Sequence, residues 1–213
     1  MENLDINEIG TKYFDVLKEI GNIGAGNATT ALAQLMGSRV DMTVPQVKLM
    51  EFHELGTTMG GEDQVVAAVY LVVEGDINGS IMFMMSLEAV NALIKRLIGT
   101  DHVGETYSDM EVSAIKEMGN IITGAYLNSI STLTNLTIYP SVPDMAIDMA
   151  GSILSVPAAE FGVIGDKMLL IQTSFSNEID FSGYFILVPD EGSYARILGS
   201  LGFTVGFILS GYG

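Results

Sequence analysis

Ile6, Ile9, Tyr13, Leu17, Ile20, Ala31 and Leu35 lie within roughly 60° of one side of a helical wheel, at 100° per residue. They predict a long amphipathic helix that ends near Gly37. Ile115, Met118, Ile122, Ala125 and Leu133 form the same kind of stripe in a second helix over 109–133. Asp5-x-x-Glu8 and Ser108-x-x-Glu111 read as helix caps with a Glu three residues on. After the first helix come strand-like runs at 39–43, 46–52 and 64–73, the last carrying Val65-Val66-Ala67-Ala68-Val69-Tyr70. Asp76-Ile77-Asn78-Gly79 turns the chain into a strand at 80–85, a hairpin signal, and helical spacing resumes over 87–98. The second half follows the same order: a strand at 137–139, strands at 167–175 and 183–188, and a helix at 194–201. Between them Met145, Ala146, Met149 and Ile153 predict an amphipathic helix over 144–154. Gly99 and Gly202 close the two halves alike, and the polar linker 100–107 is short. The expected fold is α+β: a duplicated, pseudo-twofold unit with two long helices side by side on a mainly antiparallel sheet. Residues 1–213 are expected to form one domain, with internal repeats over about 5–99 and 108–202. The apolar, glycine-rich tail 203–213 reads either as a last strand or as a disordered end.

The polar faces of the two long helices carry the same groups. Asp15, Glu19, Asn22 and Pro45 are matched 98 residues later by Ser113, Glu117, Asn120 and Pro143. The shared pattern is [Asp/Ser]-x3-Glu-x2-Asn-x22-Pro. Positions 15, 19 and 22 fall at roughly 0°, 40° and −20° on the wheel, opposite the apolar stripe, so the Glu and the Asn are expected to face outward. Two glycine pairs keep the spacing, Gly21 with Gly119 and Gly26 with Gly124. Gly inside a helix costs about 1 kcal/mol relative to Ala, so each asks for a reason. Gly26 and Gly124 sit on the polar face one turn past the Asn, where a missing side chain admits another molecule. Gly21 and Gly119 sit on the flank, where close packing is the expected reason. A lone Glu-x-x-Asn is an ordinary solvated helix face. Duplication explains a shared fold, but not solvent-facing positions that stayed alike while Ile23-Gly24-Ala25 diverged to Ile121-Ile122-Thr123.

The doubled pattern resembles the CheC-type phosphatases of chemotaxis, a family that includes CheC, CheX and FliY, and both copies match at every fixed position. The resemblance spans about residues 5–202. With two motifs and no added motor domain, the chain is nearest the CheC branch. It implies an enzyme that hydrolyses the phosphoaspartate of the response regulator CheY. Asn22 and Asn120 would position the attacking water, and Glu19 and Glu117 would bind a cationic side chain beside the phosphoaspartate. Asp15 and Ser113 would support the site from one turn away, and Pro45 and Pro143 would fix a strand or turn start. It also implies the receptor deamidase CheD as a second partner, on Asp144–Ile153, with Asp148 and Asp144 as polar contacts. Phosphoryl transfer leaves the protein mostly positioning and electrostatics to supply. A carboxamide suits that work, being neutral at every working pH and both donor and acceptor. Mg²⁺ is expected on the partner's receiver domain, with no cofactor or metal in this chain. The competing function is a non-catalytic module that docks CheY or CheD.

Composition narrows the alternatives. The net charge of −17, from 26 acidic and 9 basic residues, argues against nucleic acid, which needs Lys and Arg on its phosphates. It argues equally against anionic membrane and for partners with basic patches. No apolar run nears the ~20 residues of a membrane span. The start Met-Glu-Asn-Leu-Asp is acidic, unlike a secretory leader. With no Cys, disulfides and thiol catalysis are out, consistent with a cytoplasmic protein. Gly21-x-x-Gly24-x-Gly26 lacks the preceding strand of a nucleotide loop, and His53 and His102 lack companions at metal-ligand spacing.

Overall fold

The computed structural model describes residues 6–43, 45–51, 54, 57, 60–104, 106–161, 167–176 and 181–202. The cap residue Asp5, the strand end Phe52, His53 and the tail 203–213 lie outside the described residues, as do the side chains of Ile6, Ile9, Tyr13 and Leu17. The first half comprises α1 (Ile6–Met36), β1 (Asp41–Met42), β2 (Gln46–Glu51), β3 (Val65–Gly75), β4 (Gly79–Ser86) and α2 (Leu87–Ile98). The second comprises α3 (Asp109–Thr134), β5 (Ile138–Pro140), β6 (Asp144–Met149), α4 (Ala150–Phe161), β7 (Lys167–Ser176), β8 (Phe181–Pro189) and α5 (Glu191–Ser200).

Local chemistry sets the helix ends. Ser86 accepts from the Ala89 amide and Gly99 closes α2 at φ 84°, a left-handed position that suits Gly. On α3 the capping box is complete: Ser108 accepts from the Glu111 amide, and Glu111 accepts from the Ser108 amide at 2.7 Å. The bonds it accepts from the Ser108 amide and hydroxyl hold the Glu111 carboxyl below its usual range, helped by His102 at 2.9 Å. His102 in turn stacks on Tyr107 with ring centroids 4.1 Å apart, so the linker is fastened to the start of α3. The C-terminus of α1 is held from α2: Arg96 donates to the Met36 carbonyl at 3.1 Å and to Ser38 Oγ at 2.8 Å.

One eight-stranded sheet runs β1-β7-β8-β4-β3-β5, with β2 also on β7 and β6 also on β3. Every pair is antiparallel. The strand after the first motif proline, β2, therefore pairs with the long strand of the second half, and β6 pairs with the long strand of the first. The halves exchange edge strands. At the middle Phe83 of β4 faces Phe185 of β8, and a local twofold normal to an antiparallel pair passes between such partners. That axis also exchanges the flanking strands in the order above. An axis normal to the sheet reverses any element lying on it, so α1 and α3 run antiparallel. They pack directly on each other.

β3 and β4 are buried on both faces, which explains their near-continuous apolar runs. Ala67, Val69, Leu71, Ile81, Phe83 and Phe185 join the core beneath α1, α2 and α3. Val66, Ala68, Met82, Met84 and Ile186 face the opposite side, where Ala150, Ile153 and Leu154 of α4 cover them. The helix crossing is asymmetric in a compensating way. A Cβ on Gly24 would stand 2.3 Å from Tyr126 Cδ1, so Gly24 exists to admit that ring, and the residue matching Tyr126 in the first copy is the small Ala28. Tyr126 stacks on Phe185 and hydrogen-bonds Thr173 Oγ1 at 2.8 Å, while burial pushes its hydroxyl up to about 12.

Two sequence expectations fail. Residues 144–149 are the strand β6 and not the first turns of a helix, which begins only at Ala150. Met145, Ile147 and Met149 fit a period of two as well as Met145, Met149 and Ile153 fit a helix, and the free edge of β3 decides between them through the ladder from Val65↔Met149 to Tyr70↔Asp144. Leu35, placed on the buried stripe of α1, is 39% exposed. The buried side of α1 has turned away from that stripe over its last turns, where Ala28, Leu32 and Met36 face the core instead.

Candidate functional site

The motif faces do point outward. Asp15, Glu19 and Asn22 on α1 and Ser113 and Glu117 on α3 are exposed, and Asn120 is half-buried. One turn beyond each Asn the helix surface is bare: a Cβ at Gly26 or Gly124 would meet nothing within 4 Å. A helical side chain leans toward the N-terminus of its helix. Any residue larger than Gly there would lie over the turn that carries Asn22 or Asn120.

The flanking glycines seat these faces on the sheet. A Cβ on Gly21 would stand 3.0 Å from Val47 Cγ2, 3.6 Å from Pro45 Cβ and 3.7 Å from Ile171 Cγ2, and Val47↔Ile171 is one rung of the β2–β7 ladder. A Cβ on Gly119 would stand 2.6 Å from Val69 Cβ, and Val69↔Met145 is the matching rung of β3–β6. Each motif helix thus rests directly on a rung built by the strand that follows its motif proline. Pro45 is buried against that contact and Pro143 is half-buried ahead of β6.

Gly24 packs on Tyr126 and Asn27 Nδ2 lies 3.4 Å from Ser129 Oγ, which locates the crossing of α1 and α3. Glu19 and Asn22 precede it on α1, as Glu117 and Asn120 do on α3. Because the helices are antiparallel, the two Glu-Asn pairs lie on opposite sides of the crossing. They do not converge into one centre.

The structure gives Asp144 and Asp148 different surroundings. Asp144 accepts from Lys116 Nζ at 2.8 Å and from the Met145 amide at 2.8 Å, contacts that hold its carboxyl below the usual range. Asp148 is exposed and accepts from the Met149 amide at 2.7 Å. Sequence reasoning missed Lys116 and its counterpart Lys18, although they too are 98 apart. The available signal was scarcity: of nine cationic residues, only this pair keeps the repeat spacing.

Among the described residues no three His, Asp or Glu side chains gather as metal ligands, and no helix is long and apolar enough to cross a membrane.

The profile of the CheC-like family matches residues 15–49 and 110–147, the stretches that hold both motif copies. The CheY-P phosphatase CheC of Bacillus subtilis (strain 168) is 37% identical over 204 residues, covering 92% of this chain and 97% of that protein. Thermotoga maritima FliY shares the fold with a TM-score of 0.68 at 20% identity, over 94% of this chain and 98% of that one. CheX in its CheY-BeF3-Mg complex from Borrelia burgdorferi gives 0.50 at 16% identity, over 79% of this chain and 96% of that one. With both motif copies inside the matched stretches and a relative aligned over almost its full length, the chain belongs to the CheC-like family.

Proposed function

We propose that the protein hydrolyses the phosphoaspartate of CheY in the cytoplasm, at two separate centres, one on α1 and one on α3. The observation that carries this is the outward Glu-x-x-Asn face with a bare glycine one turn on, present once on each of two antiparallel helices. The named activity of the 37%-identical relative supports it. Asn22 or Asn120 holds a water in line with phosphorus, its amide donating and accepting without charge. Glu19 or Glu117 pairs with a cationic side chain of the receiver and fixes the approach. The Mg²⁺ that phosphoryl transfer needs is assigned to the receiver domain and not to this chain. The test is phosphate release from phosphorylated CheY with and without the protein. Accelerated release is expected, and release at the spontaneous rate would refute the enzyme and leave a docking module.

For CheD, we place the contact on β6 and the start of α4, where Ile147 and Met149 are 39% and 43% exposed beside the Asp148 carboxylate. Asp148→Lys is expected to weaken CheD binding in a titration while leaving CheY hydrolysis unchanged. Unchanged CheD affinity would remove the assignment.

A further inference from the structure

A phosphorylated receiver brings negative charge to a protein of net charge −17. Glu19 and Glu117 add to the repulsion wherever they are not paired, so a cation at the same face has an evident use. Lys18 stands four residues before Asn22 and Lys116 four before Asn120. Residues four apart on a helix are stacked one turn, roughly 6 Å, from each other. Lys18 falls about 40° around the helix from Asn22, on the edge of the motif face and one turn nearer the helix N-terminus, where its ammonium stands beside Asp15 and meets the surface of a receiver docked across that face.

The two copies differ in what holds the cation. Lys18 is 59% exposed and only 4.0 Å from Asp15 Oδ1, a loose surface pair. Lys116 is 31% exposed and lies 2.8 Å from Asp144 Oδ1. The position matching Asp144 in the first copy is Gln46, which has no charge to offer.

We propose that Lys18 and Lys116 are docking cations for the phosphoryl-bearing surface of the receiver, and that Asp144 holds Lys116 back so that the second site docks more weakly than the first. Both parts rest on the two-site reading above.

Single-site backgrounds read the two parts separately. With the second site disabled by Asn120→Ala, Lys18→Ala is expected to raise KM for phosphorylated CheY about fivefold, the weight of one exposed ion pair. Its kcat should stay within about twofold, Lys18→Arg should restore KM, and the effect should shrink as salt rises. With the first site disabled by Asn22→Ala, Asp144→Asn keeps the Oδ1 acceptor for the Met145 amide but removes the charge that holds Lys116. It is expected to lower KM about threefold, a gain that Lys116→Ala erases. Unchanged KM in either arm overturns the corresponding part. Titration with beryllofluoride-activated CheY and Mg²⁺ reads docking without turnover. There the Lys18→Ala, Lys116→Ala double variant should bind at least about fivefold more weakly. Unchanged affinity overturns the proposal whether or not hydrolysis occurs, while absent hydrolysis with weakened docking refutes only the catalytic assignment.

Discussion

Asn22→Ala combined with Asn120→Ala is expected to lower CheY-P hydrolysis by about 10²-fold or more, the usual consequence of losing alignment of a reacting group. The fold should be untouched, because Asn22 is exposed and Asn120 half-buried and Ala favours helix over Asn. Each single variant should keep a sizeable fraction of the activity, with the loss in the double much greater than in either single, since distant sites with no shared partners act independently. That independence follows from the antiparallel crossing at Gly24 and Tyr126, which sets the two amides on opposite sides of it. Abolition by one substitution alone would mean a composite site, or one copy without function. Phosphate release from the two single variants and the double distinguishes these cases.

Glu19→Gln with Glu117→Gln is expected to act on docking. A charge pair desolvated at an interface costs about 2–5 kcal/mol to break, which is about 30-fold or more in affinity. Gln keeps the shape and removes only the charge. Both carboxylates are exposed, so the melting temperature should barely move. Titration with beryllofluoride-activated CheY checks the affinity. Wild-type affinity and activity in the double variant would reduce both glutamates to surface charge.

Much of the fold was legible because the local signals were redundant. Helix α2 was predicted over 87–98 and found there, since Ser86 and Gly99 mark its ends as clearly as its apolar spacing marks its body. The second motif helix was legible for the same reason, through the Ser108 and Glu111 box. The strand exchange was not, because nothing within β2 or β6 says that its partner lies in the other half. The error at 144–149 has the same root: a short run that fits two periods is decided by its neighbour β3. At the site, the outward Glu and Asn and the bare Gly26 and Gly124 followed from the wheel alone. The reason for Gly24 did not, since it depends on a tyrosine 102 residues away. Lys18 and Lys116 keep the repeat spacing but stand outside the motif pattern, which is made of carboxylates and amides.

The measurement that tests the docking faces most directly is melting temperature and phosphate release on one variant, Gly26→Gln with Gly124→Gln. Neither glycine has a positive φ and neither has a neighbour that a Cβ would strike. Replacing Gly inside a helix by a good helix former should therefore stabilise by about 0.5–1 kcal/mol at each position. The new side chains lean back over Asn22 and Asn120 and cover the surface on which the receiver docks. The account predicts a protein that melts higher than wild type and has lost most of its CheY-P hydrolysis. Wild-type hydrolysis in that stabilised variant would contradict it, because a phosphatase site covered on both helices could not still be reached.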